Sequence, residues 1–129
     1  MASLPDGVKA ILDKKTFAYV ATVNPDGSPQ ATPVWVDHDE DLVVFNTAEG
    51  RIKHRNILND PHVAVSFVDP DNPYHMVAIQ GRVVDLDTED ADEHIDWLAN
   101  KYLGVETYPN RRAGEVRVIV RVEPTQVTG

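Results

Sequence analysis

The chain has 129 residues, enough for one compact domain with a real core and too few for two, so residues 1–129 read as a single domain. Apolar residues make up 42% and charged residues 26%, no apolar run approaches the roughly 20 residues that span a bilayer, and the N-terminus has no basic-then-apolar signal pattern, so a cytoplasmic location is expected. Cysteine is absent, which excludes disulfides, a thiol nucleophile and thiolate-bound metals, and 12 basic against 21 acidic residues leave a net charge of −9, which makes nucleic acid and anionic membranes poor partners.

No internal repeat or linker divides the chain. Residues 4–14 read as a short helix, with Ser3 as N-cap, Pro5 in the first turn and an apolar stripe of Leu4, Val8, Ile11 and Leu12. Residues 16–23 are β-branched and aromatic and read as a strand, followed by the turn Asn24-Pro25-Asp26-Gly27. Strands over 29–36 and 42–47 are joined by the acidic tip Asp37–Asp41, which lacks the glycine and terminal Glu of a calcium loop. A helix over 50–59 is stopped by Asp60-Pro61. A strand over 62–68, the turn Asp69–Pro73 and a long strand over 76–86 follow, with Gly81 predicting a bulge or a close backbone approach. Residues 89–103 form the second substantial helix, with an acidic first turn, the stripe Ala91, Ile95, Leu98 and Tyr102, and Gly104 as its stop. After a loop of about ten residues, long enough to suggest a function, the last strand sets Val116, Val118, Val120 and Val122 on one face and Glu115, Arg117, Arg121 and Glu123 on the other, the period of a half-buried strand.

Six strands with hairpin-length connections and three helices predict a mainly β, antiparallel sheet with peripheral helices. With few helices to cover it, the sheet is expected to close into a barrel. There is no Gly-rich phosphate loop.

Arg51, Lys53 and Arg55 place three of the twelve basic residues within five positions, at the first turns of a predicted helix. Cations there oppose the helix dipole. A bound anion reverses that sign, because free N–H groups and basic side chains then act together. The cluster therefore reads either as a phosphate or carboxylate site at a strand-to-helix junction or as a solvated helix face. In Gln30–Val36, Pro33 cannot donate to a ladder and marks an edge, bulge or strand end, where freed backbone can bond a ligand. Trp35 either walls a flat aromatic ligand or belongs to the core. His38, His54, His62, His75 and His94 show no metal-ligand spacing, and His94 reads as a solvated or capping residue. No self-sufficient catalytic group is recognisable, which favours a cofactor.

Three runs carry a family resemblance: VATVNPDGSPQATPVWV, DLVVFNTAEGRIKHRNILNDPHVAVSF and VAIQGRVVDL. Together they resemble the pyridoxamine 5′-phosphate oxidase-like superfamily of six-stranded split β-barrels, and within it the flavin/deazaflavin oxidoreductases described as F420-dependent. The likeness extends over about residues 10–124. It implies a homodimer with two cofactor sites at the subunit interface and hydride transfer to a small conjugated or unsaturated acceptor. It also implies phosphate binding at Arg51 and Lys53, with Arg55 and Asn56 near. The ring would lie along Gln30, Thr32, Pro33, Val34 and Trp35, with Asn46 and Thr47 beside it. Departures from the pyridoxamine phosphate oxidases proper are Ile52-Lys53 in place of adjacent Arg and Lys, and the lack of a Trp…Arg segment after the last strand. Both argue against vitamin B6 oxidation. F420 is the expected cofactor and FMN the alternative. A flavin-binding or storage protein without turnover is the rival outside catalysis. Arg111-Arg112 in the long loop are expected to reach the cofactor or the partner's site.

Overall fold

The computed structural model describes residues 2–129. Its elements in chain order are α1 (Asp6–Leu12), β1 (Phe17–Val23), β2 (Pro29–Asp39), β3 (Leu42–Ala48), α2 (Ile52–Asn59), β4 (His62–Asp69), β5 (Asn72–Asp87), α3 (Ala91–Leu103) and β6 (Arg117–Thr128). The six strands are antiparallel and form a closed barrel in the order β1-β2-β3-β6-β5-β4. Inward residues such as Val20, Val36, Phe45, Val65, Ile79 and Val120 fill it. Leu4, just ahead of α1, and Val8, Ile11 and Leu12 on it join the same core. The first turn of α1 begins later than the sequence predicts: Pro5, not Ser3, occupies the N-cap position, and no side chain caps the helix.

The strands are longer than expected because pairing continues through residues that read as turns. Asp39 pairs with Leu42, so the acidic tip shrinks to Glu40-Asp41, with Glu40 at φ 52°. Asp69 pairs with Asn72, so β5 starts four residues early. Gly81 fulfils both expectations. The β5–β6 register shifts between Gln80 and Gly81, and a Cβ there would lie 2.7 Å from the Glu123 carbonyl oxygen and from Val122 Cγ1.

Two departures shape the site. The first is that β2 pairs with β3 only over Val36–Asp39 and Leu42–Phe45. Beyond that, residues 29–35 of β2 pair with β1 alone and residues 46–48 of β3 with β6 alone, which opens a split in the barrel wall. The second is that β6 is not half-buried at its start. Val118, Val120 and Val122 face the core, but Arg117 and Ile119 on the opposite face are buried too, while Val116 is exposed and precedes the strand. The cover is α3, whose Ala91 packs on Val44 and Ile119. Farther along, Ile95, Leu98 and Tyr102 form a second outer cluster with Trp35 and Tyr108. Gly104, at φ 73°, stops α3 as expected and donates its amide to the Asn100 carbonyl. No helix among the described residues is long and apolar enough to cross a membrane.

Candidate functional site

The split in the barrel opens into a cleft of about 240 Å³ between the diverging strands, the N-terminus of α2, and α3 with its following loop. One side is apolar and aromatic: Phe17 of β1, Pro33, Val34 and Trp35 of β2, and Ile95 and Leu98 of α3. Trp35 is fixed from behind by stacking on Tyr102 and meets Tyr108 edge-on, with ring centroids 6.0 Å apart. The other side is polar and positive: Asn46 of β3, Arg51 and Lys53 at the start of α2, and Arg117 of β6.

The strand-to-helix junction explains how those cations converge. Gly50 turns the chain at φ 86°, a conformation that favours glycine. Its amide donates to His54 Nδ1 at 3.3 Å. Arg51 then takes the N-cap position in extended conformation, without a side-chain cap or an acidic residue in the first turn. Lys53 is 8% exposed. Burial lowers its pKa, and the charges of Arg51 and Arg117 lower it further. No carboxylate offsets them, so the ammonium is held at a cost that a bound anion would relieve.

Arg117 is 5% exposed. Its Nε donates to Asn46 Oδ1 at 2.9 Å, its Nη1 pairs with Glu115 Oε1 at 3.1 Å, and its guanidinium lies over the Tyr108 ring, 5.3 Å from the centroid. Arg51 reaches the other oxygen of Glu115 at 3.4 Å. Burial pushes the Glu115 carboxyl up, but Arg117 and Arg51 hold it below the ordinary range. Two of the three cations thus share one carboxylate, and Lys53 pairs with none. In addition, the hydroxyls of Thr32 and Thr47, on the two strands that diverge, are buried with no hydrogen-bond partner. The excess of positive charge on this side of the cleft fits an anionic ligand.

Of the residues expected from sequence, Pro33, Val34, Trp35, Asn46, Arg51 and Lys53 share this cleft, and Thr32 and Thr47 flank the split. Arg55 is exposed. Gln30 and Asn56 lie at Thr22: Asn56 Nδ2 donates to Thr22 Oγ1 at 3.0 Å and to Asn24 Oδ1 at 2.9 Å, which ties α2 to β1. Arg111 does not enter the cleft. It pairs with Asp96 at 2.6 Å and Asp92 at 3.4 Å, and Asp96 also accepts the Tyr108 amide at 2.8 Å, so the loop after α3 is pinned down with Tyr108 and Asn110 as cleft wall. His94, expected to be a solvated or capping residue, is largely buried and stacks on Trp97 at 6.4 Å. Sequence reasoning missed Arg117, Tyr108 and Asn110. For Arg117 one signal was present: Ile119 is apolar on the otherwise polar face of the strand, which marks that face as covered.

The fold recurs in solved structures. A structure named F420 reductase superposes with a TM-score of 0.85 at 34% identity, covering 97% of this chain and 98% of that one. A conserved hypothetical protein from Mycobacterium tuberculosis gives 0.73 at 20% identity, covering 98% and 84%. HupZ from Group A Streptococcus gives 0.69 at 19%, covering 96% and 91%. The last two show the fold alone. No curated protein matches the chain. The family described as pyridoxamine 5′-phosphate oxidase matches residues 4–129, and the split barrel built by those residues is that family's fold, so the chain belongs to it.

Proposed function

We propose that the protein is an oxidoreductase that binds reduced F420 in the cleft and passes a hydride to a small conjugated or unsaturated acceptor. The observation that carries this reading is Lys53, a buried ammonium between two arginines with no carboxylate of its own, at one end of an aromatic-walled cleft. Such a site fits a molecule with an anionic chain and a flat ring. The likeness to an F420 reductase supports the deazaflavin, and the family supports FMN as the second reading.

The cofactor would supply the hydride. Lys53 and Arg51 would hold its phosphate, and Arg117 would meet the anionic chain or a carbonyl edge. Trp35, Pro33 and Val34 would support one face of the ring. Ile95, Leu98 and Tyr108 would exclude water. Asn46 has both amide hydrogens committed, to the Ala91 carbonyl and to His94, so it orients Arg117 and is left to accept, not donate, toward a ligand. Thr32 and Thr47 would border the ring from the two diverging strands.

A homodimer belongs to the same reading. Phe17, Tyr19 and Met76 are 57%, 54% and 64% exposed and border one shallow apolar depression across β1, β4 and β5. A second copy would cover that face. The test of function is side-by-side titration with F420 and FMN, then reduction of a quinone-type acceptor by the bound, reduced cofactor. Tight F420 binding with turnover is expected. Tight FMN without F420 would move the assignment to the second reading, and tight binding without turnover on any acceptor would leave a storage protein.

A further inference from the structure

The Asn46 amide has a fixed orientation. Arg117 Nε always carries a hydrogen and donates it to Asn46 Oδ1 at 2.9 Å. Nδ2 donates to the Ala91 carbonyl oxygen at 2.9 Å and lies 3.1 Å from His94 Nδ1. Turning the amide over would set its hydrogens against the guanidinium and its oxygen against a carbonyl. The remaining Nδ2 hydrogen therefore points at His94 Nδ1, which must accept it. The neutral ring then carries its hydrogen on Nε2, a buried nitrogen without a hydrogen-bond partner, 3.7 Å from Asp37 Oδ2.

We propose that His94 is a positioning residue for the anion site: with Nδ1 as acceptor it locks the Asn46 amide, which aims Arg117 into the cleft, and uptake of a proton by His94 releases that lock and weakens binding. The proposal rests on the reading of the cleft as the site of a phosphate-bearing cofactor. The added proton goes to Nδ1, where it meets the Asn46 amide hydrogen. The two hydrogens repel across that contact, the Asn46 amide is pushed off its place, and its hold on Arg117 Nε loosens. The groups around the ring are Asp37 on β2, Asn46 on β3 with Arg117 on β6 behind it, and on α3 Trp97, stacked on the ring, with Asp90 one turn before and Lys101 farther along. Asp37 is the acidic neighbour and Arg117 the basic one. The expected sign is diagnostic. A new positive charge near an anion site ordinarily strengthens binding, whereas release of Arg117 weakens it.

The test begins with the free protein. Nitrogen-15 NMR at neutral pH is expected to show His94 with Nδ1 unprotonated. The Arg117 Nε–H resonance should be protected from exchange and lose that protection as His94 titrates. In His94→Gln, whose amide oxygen replaces the acceptor but does not titrate, the Arg117 signal should stay protected at every pH. A hydrogen on Nδ1 of the neutral ring, or an Arg117 signal indifferent to His94, overturns the proposal. The second arm titrates wild type, His94→Gln and His94→Phe with F420 and with FMN from about pH 8 to about pH 5.5. Relative to His94→Gln, a comparison that cancels titration of the ligand itself, wild-type affinity should fall about ten-fold on acidification, and His94→Phe should be weak throughout. Wild-type affinity that rises on acidification relative to His94→Gln overturns the proposal. Failure of both cofactors to bind at any pH rejects the cofactor reading, and the NMR arm still decides the role of His94.

Discussion

The Trp35 indole lies flat on the Tyr102 ring, with 5.2 Å between centroids and 11° between planes. One ring belongs to β2 and the other to α3, so the wall of the cleft is only as firm as the seat of α3 on the barrel. That seat is polar as well as apolar. The Tyr102 hydroxyl accepts from the Val36 amide at 3.0 Å and donates to the Thr16 carbonyl, and Lys101 Nζ donates to the Leu12 and Val36 carbonyls. Burial pushes the Tyr102 phenol up to about 12, with the Val36 amide pulling the other way, so the hydroxyl keeps its proton through the working range.

Tyr102→Phe keeps the stack and leaves the Val36 amide without its acceptor. The loss of stability is expected to be about 1–3 kcal/mol, read as a shift in the urea midpoint at unchanged slope. Unchanged stability would mean that the Val36 amide finds another acceptor.

Lys53→Met removes a charge that the fold holds at a cost. Cofactor affinity should fall about ten- to a hundred-fold, while the free protein melts at the same temperature or higher. The pH dependence has a definite sign. Between the lowered pKa of Lys53 and its ordinary value the unfolded chain binds more protons, so wild-type stability rises with pH across that window. The variant should lose that rise. A destabilised free variant with intact affinity would assign Lys53 to the fold.

Asn56→Ala separates scaffold from site. Its amide bridges Thr22 and Asn24 and is buried. Thermal unfolding should show a loss of about 1–3 kcal/mol, with cofactor affinity at low temperature within about two-fold of wild type. A large loss of affinity at full stability would return Asn56 to the phosphate site.

Tyr19→Glu places a charge in the apolar face of β1. Wild type is expected to scatter light as twice the 14.3 kDa chain mass and the variant as a single chain. A wild type that remains a single chain at micromolar concentration would refute the dimer.

The barrel was legible because apolar periodicity and turn chemistry are local signals. Gly81 announced its bulge, Gly104 its helix end, and the stripe of α1 its burial. The cationic end of the cleft was legible for the same reason: Arg51 and Lys53 lie two residues apart in sequence, at a helix start with no acidic residue in its first turn. Arg117, Tyr108 and His94 were not legible, since each depends on where α3 lands. Ile119 marks the polar face of β6 as covered without saying by what, and Arg111 cannot be read as a partner of Asp96 until loop and helix are side by side.

Phe17 borders two surfaces, the cleft on one side and the apolar depression of β1, β4 and β5 on the other. In the proposed dimer a shared ring would link the two events thermodynamically: whatever orders Phe17 from the subunit side would alter the wall met by the cofactor, and the reverse. Apparent affinity should therefore depend on protein concentration. Titrations at chain concentrations low enough to separate the proposed dimer should give weaker binding than those at micromolar chain, and saturating cofactor should resist dissociation on dilution.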